Sequence, residues 1–92
     1  MNLSHREKIK ELFDLSMRIL EETNAYVAFE ISSISYVCRI YVMDNGWSEN
    51  AGYDGIYFIH TEDIGDFKKE CGKAIEHLKR LLADSGIRKE IA

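Results

Sequence analysis

Tyr26-Val27-Ala28-Phe29-Glu30-Ile31-Ser32, and after a short turn Tyr36-Val37-Cys38-Arg39-Ile40-Tyr41-Val42-Met43, decide the fold. In the first stretch Val27, Phe29 and Ile31 alternate with Tyr26, Ala28 and Glu30, the period of a strand with one buried face. The second is rich in β-branched and aromatic residues, which suit a pleated surface. Its sets are Tyr36, Cys38, Ile40, Val42 and Val37, Arg39, Tyr41, Met43; the charge on Arg39 turns the latter outward. Strands are expected over 25–32 and 36–43, joined by Ser32-Ser33-Ile34-Ser35.

Downstream, Asp44-Asn45-Gly46 carries strong turn chemistry. A polar loop with Trp47 runs to Gly52, and a third strand is expected over 53–60. Its phase is ambiguous, because Ile56 and Phe58 compete with Tyr57 and Ile59. Ile56 and Phe58 are placed inward, since the opposite set holds Gly55 and two tyrosines.

The strands are flanked by two stretches of helical period. Ser4 and Glu7 form a capping box. Ile9, Leu12, Phe13, Ser16, Ile19 and Leu20 follow at three–four spacing, widened by Leu15 and Met17, so a helix is expected over 4–23. Glu7/Lys10 and Asp14/Arg18 stand at pairing distance. Thr23-Asn24 supplies a stop. Thr61 or Asp63 can cap a second helix over 63–85, whose apolar face is Ile64, Phe67, Cys71, Ala74, Ile75, Leu78, Leu81 and Leu82. Gly86 ends it in the left-handed conformation, and 87–92 form a tail.

Two one-sided helices and a meander give an α+β fold: a two-layer α-β-β-β-α domain over 1–92 with both helices on one face of the antiparallel sheet. The other face is then bare. It displays Tyr26, Ala28, Glu30, Val37, Arg39, Tyr41, Met43, Tyr53, Tyr57 and Ile59. Tyrosine suits surfaces that are apolar on one side and wet on the other. Tyr26, Arg39, Tyr41 and Tyr57 are therefore candidates for a sheet-face interface.

Composition bounds the function. The chain has 92 residues, 46% apolar and 30% charged, with a net charge of −4. Charges interrupt every apolar stretch and the N-terminus has no apolar signal core, so no membrane span and a cytoplasmic location are expected. Cys38 and Cys71 fall at core positions, the pattern of buried free thiols. From Ile40 through Phe67 there is no Lys or Arg, while Asp44, Glu49, Asp54, Glu62, Asp63 and Asp66 fall in that span. This acidity disfavours nucleic acid, which needs a concentrated basic field. It favours a protein partner with a basic surface. The six acids, with Trp47 as an aromatic anchor, are the candidate partner-binding residues.

His5, His60 and His77 are scattered, without ligand spacing, so no metal or cofactor is expected. Asp44, Asn45, Gly46 and Glu49 lack the alternating acids of a calcium loop. No nucleophile constellation or phosphate-binding glycine loop is present, and no catalytic residue is expected.

Two resemblances bear on function. The element order is similar to that of the double-stranded-RNA-binding fold, and Lys68, Lys69 and Lys73 echo the basic start of that family's second helix. Ser32-Ser33-Ile34-Ser35 does not match its Gly-Pro-x-His loop, and Glu62, Asp63 and Asp66 precede the lysines. The short acidic chain, its first helix, the two quoted strands and Asn45-Gly46-Trp47 resemble the small accessory proteins of phages and prophages. That resemblance implies an anti-CRISPR-like inhibitor whose acids stand in for phosphates and occlude a basic channel. The leading expectation is thus a non-catalytic acidic protein-binding module. A homo-oligomer joined through the aromatic face or by edge-strand pairing is the alternative, and an RNA-binding module the third.

Overall fold

The three period-two stretches form β1 (Tyr26–Ser32), β2 (Val37–Met43) and β3 (Gly55–His60), flanked by α1 (Leu3–Glu22) and α2 (Phe67–Ile91). The computed structural model describes residues 3–32, 34, 36–62 and 66–91, with 85–91 described by backbone alone. The sheet is an antiparallel meander in the order β1-β2-β3, so the fold is the expected α+β, α-β-β-β-α arrangement.

Register fixes what shares a face. Val27 pairs with Val42, Phe29 with Ile40 and Ile31 with Cys38. Across β2, Val42 pairs with Gly55, Ile40 with Tyr57 and Cys38 with Ile59. Cys38, Ile40, Val42 and Ile59 join Ile9, Leu12, Leu15 and Ile19 of α1 and Phe67, Cys71, Ala74, Leu78 and Leu81 of α2 in one core cluster. Both helices thus cover the same sheet face. Each large apolar side chain buried there stabilises the fold by roughly 1.5–3 kcal/mol.

β3 runs in the phase opposite to that expected. Ile59 is 0% exposed, whereas Ile56 and Phe58 are 50% and 47% exposed. Gly55 and Tyr57 point inward because α2 brings His77 against them. A Cβ on Gly55 would lie 2.6 Å from His77 Nδ1, so only glycine leaves room for that ring. The Tyr57 hydroxyl lies 2.6 Å from the same nitrogen. A tyrosine whose hydroxyl has a partner can face inward. Tyr57 therefore leaves the sheet-face set, and Ile56 and Phe58 enter it.

The helices also differ in detail. The buried residues of α1 are His5, Ile9, Leu12, Leu15, Ser16 and Ile19, while Phe13, Met17 and Leu20 are exposed. The packed stripe is rotated toward Leu15 because α1 must also meet α2. Leu3 is already helical, so Ser4 lies inside the first turn instead of capping it. Among the described residues the ion pairs within α1 are Lys8–Glu11 and Arg18–Glu22, not the expected Glu7/Lys10 and Asp14/Arg18. Thr23 closes the helix, its hydroxyl donating to the Ile19 carbonyl at 2.9 Å and accepting from the Ala25 amide at 3.0 Å.

At the start of α2, Asp66 occupies the cap position, its carbonyl accepting from the Glu70 amide at 2.9 Å. Thr61 is spent elsewhere, donating its hydroxyl to the Tyr36 carbonyl. The expected caps and face at Asp63 and Ile64 lie outside the described residues. The helix continues past Gly86 to Ile91, so the expected stop at Gly86 is not found and the expected tail over 87–92 is helical through Ile91, with Ala92 outside the described residues. A helical interior Gly costs only about 1 kcal/mol, too little to end a helix whose hydrogen bonds continue. His5 ties the elements together. Its Nδ1 lies 2.9 Å from the Thr61 carbonyl, and its ring stacks on Phe67 at 3.7 Å.

Candidate functional site

The sheet face away from the helices is built row by row from cross-strand partners. Glu30, Arg39 and Phe58 form one row; Ala28, Tyr41 and Ile56 form the next. Glu30 and Arg39 close a 2.7 Å ion pair, which leaves Arg39 half-buried beside Phe58. Exposed pairs of this kind contribute little stability, so this one mainly orients the guanidinium.

The loop from Asp44 to Asp54 bends over one end of this face. Tyr53 lies 5.1 Å from Tyr41, which lies 6.2 Å edge-on from Phe58. Trp47 lies 5.2 Å from Tyr26. Alternation places Met43 on the same face, yet it is only 3% exposed. Met43 was expected bare; its burial at the end where Trp47 and Tyr53 gather shows that the loop shelters this corner. What stays open is Tyr53, Ile56, Phe58 and Trp47, bordered by the half-buried Tyr26, Ala28, Arg39 and Tyr41.

Among the described residues several bonds hold the loop, the Asp54 amide donating to the Val42 carbonyl at 2.8 Å among them. Gly46, at φ 95°, donates its amide to the Met43 carbonyl at 3.1 Å, the tight turn that Asp44-Asn45-Gly46 announces. A side chain there would also meet the Asn24 carbonyl at 2.9 Å. The Asp54 carboxylate accepts from the Asp44 amide at 2.6 Å. The Asp44 carboxylate lies 2.7 Å from Nε2 of the buried His77.

In the neutral imidazole with its proton on Nε2, the Asp44 carboxylate accepts from Nε2 and the Tyr57 hydroxyl donates to Nδ1. Asp44, His77 and Tyr57 thus form a relay whose members are all satisfied. Burial, with Asp44 and Glu76 nearby, raises the Tyr57 phenol above its ordinary pKa despite Arg80. A neutral phenol that donates to imidazole is a structural brace and a poor nucleophile. Sequence reasoning missed this relay. Its three members lie on three elements, and its signal was Gly55, small where the strand should have packed a side chain.

The five described acids divide between two places along the chain. Asp44, Glu49 and Asp54 lie at the loop end of the sheet. Glu62 and Asp66 follow β3, whose six residues span roughly 20 Å; Asp63 lies outside the described residues. Asp44 and Asp54 are used in internal bonds, so among the described residues Glu49 is the exposed loop-end acid without such a role.

Cys38 and Cys71 are free and buried. Burial pushes their thiols up to about 12 and about 11, so neither supplies a thiolate at neutral pH. Among the described residues no three His, Cys, Asp or Glu are grouped to hold a metal ion, and no helix is long and apolar enough to cross a membrane.

No protein-family model matches the chain, and neither the curated proteins nor the solved structures contain a significant match to it.

Proposed function

We propose that the chain is a non-catalytic protein-binding module that recognises its partner with the open sheet face, Trp47 and Tyr53 providing the loop-end border. The observation that carries this reading is the side-by-side exposure of Ile56 and Phe58, next to Tyr41 and Tyr53, on a face that neither helix covers. A contiguous apolar patch is costly to leave in water, and such patches mark interaction sites. Aromatic anchors with an arginine among them are the residues that dominate protein interfaces.

The partner suited to this face presents an apolar surface with cations placed to meet Glu49 at the loop end. An inhibitor of the anti-CRISPR kind, occluding a basic surface of a nucleic-acid enzyme, is one such use. The division of the acids between two ends of the sheet favours contact through aromatic packing over mimicry of a phosphate row.

The test is capture of the partner from cognate cells, followed by affinity measurement for Phe58→Asp, Glu49→Lys and Lys79→Glu. Phe58→Asp should abolish binding, Glu49→Lys should weaken it in a salt-dependent way, and Lys79→Glu, on the helical side, should leave it unchanged. Loss of binding confined to Lys79→Glu would overturn the reading.

A further inference from the structure

The two edges of the sheet are not alike. In an antiparallel pair, successive residues turn their backbone N–H and C=O groups alternately toward the neighbouring strand and away from it. At the two ends of β2 the Tyr36 and Val42 carbonyls accept from the Thr61 and Asp54 amides, so the even-numbered residues of β2 face β3 and the odd-numbered ones face β1. By register, Tyr26, Ala28, Glu30 and Ser32 bond to β2, and Val27, Phe29 and Ile31 turn their backbone groups to the open edge. On β3 the same alternation sends the His60 amide outward, and α2 meets it there: the Glu70 carboxylate accepts from it at 3.1 Å. Among the described residues no group of α1 does the same for Val27, Phe29 or Ile31.

Natural sheets protect such an edge with a proline, a bulge, a lysine or a very short strand. β1 has none of these. Its seven residues pair with β2 in unbroken register, and its one charge, Glu30, lies on the face away from the helices. What stands over the edge is α1. Two helices side by side are roughly 20 Å wide, whereas three strands span only about 14 Å. With α2 on β3 and α1 on β1, α1 overhangs the edge where Phe13 meets Phe29 edge-on at 5.5 Å. The groove there is lined by Leu3, Phe13, Phe29 and Ile31, with Arg6, Glu7 and Lys10, charges of both signs, beside them. An excess width of about one strand spacing, ~5 Å, takes a single extended chain whose helix-side residues are apolar. It does not take a second copy, which would bring its own α1 to the same place. On the other face Glu30, exposed at the outer strand, is complemented by a cation directly beside it.

We propose that the β1 edge receives an extended segment of a partner protein as an antiparallel fourth strand, its alternate apolar side chains seated under α1 and a basic residue on its other face set beside Glu30. The backbone groups of Val27, Phe29 and Ile31 supply the hydrogen bonds, and the groove selects the side chains. This contact does not rest on the open-face reading, since Ile56 and Phe58 lie two strands away.

Amide hydrogen exchange of the full chain, followed by NMR with and without a short synthetic peptide, tests this. The peptide alternates valine with threonine and carries one lysine in a threonine position. In the free chain the Val27, Phe29 and Ile31 amides should exchange about ten-fold faster or more than those of Ala28 and Glu30. The peptide should slow the first three, and its analogue with N-methylated valines, unable to donate to the edge, should not. Ile31→Pro should keep the fold by circular dichroism, because proline is tolerated where the amide faces out of an edge strand, yet weaken the peptide about ten-fold or more. Ile31→Ala should weaken it less. Glu30→Lys should weaken the lysine peptide and favour its glutamate counterpart, while Phe58→Asp should leave peptide binding intact. Protected Val27, Phe29 and Ile31 amides in the free monomer, a dimer by sedimentation equilibrium, equal binding of the N-methylated analogue, or no binding of the lysine peptide would overturn the inference.

Discussion

Asp44 and His77, thirty-three residues apart, meet at 2.7 Å and so fasten the loop that ends β2 to the middle of α2. His77 lends its other nitrogen to Tyr57, and Gly55 makes the space for its ring. Replacing His77 by Ala leaves a half-buried phenol and a half-buried carboxylate without their partner, at a cost of roughly 1–3 kcal/mol. Gly55→Ala drives a methyl into the His77 and Tyr57 rings and should cost a similar ~1–3 kcal/mol. Denaturant unfolding measures both. The double variant should lose less than the sum, because the two changes strike one contact.

The phase of β3 has an equally direct signature. Ile59→Ala removes a fully buried side chain and should destabilise by about 2–5 kcal/mol. Ile56→Ala removes one that is half exposed and should stay within about 1 kcal/mol of wild type. The reverse ranking in urea midpoints would restore the phase that the sequence suggested.

Part of this structure is legible in the residues alone. The two helices, the three strands and their order were visible, because period and turn chemistry are local. The phase of β3 was not, because Ile56, Tyr57, Phe58 and Ile59 are all apolar enough to face inward. The choice between them falls to His77 and Gly55, which only the tertiary fold brings together. The same holds for α1: Phe13 and Leu20 obey the helical spacing as well as Leu15 does, and the position of α2 decides which is buried. For the site, the aromatic character of the open face was legible, but the membership of Tyr57, Ile56 and Phe58 followed the phase. The acids stand close together in sequence, but β3 lies between Asp54 and Glu62 and separates them in space.

Alkaline pH should weaken the fold through its thiols. Burial raises Cys38 to about 12 and Cys71 to about 11, from an ordinary value of 9.0. The unfolded chain therefore loses these protons first. The stability they contribute is complete below pH 9 and is lost as pH rises through about 11 and then 12, with a slope approaching ~1.4 kcal/mol per pH unit for each thiol. Tyr57, also raised, adds to the trend. Urea midpoints at pH 8, 9, 10 and 11 measure it, and Cys38→Ala/Cys71→Ala should flatten the decline. A thiol reagent at pH 8 should react with the native protein far more slowly than with the unfolded chain.

Charge reversal at the loop end should separate Glu49 from its neighbours. Glu49→Lys should leave the melting temperature nearly unchanged. Asp54→Lys removes the acceptor of the Asp44 amide and should cost about 1–2 kcal/mol. Thermal melts of the two variants settle which acids brace the loop and which are available to a partner.

A photo-reactive phenylalanine analogue placed singly at positions 58 and 79, in cognate cells, tests most directly what the open sheet face is for. The account predicts that position 58 crosslinks to one discrete protein and that position 79, on the helical side, does not. Crosslinks from position 79 alone, or from neither position, would contradict it.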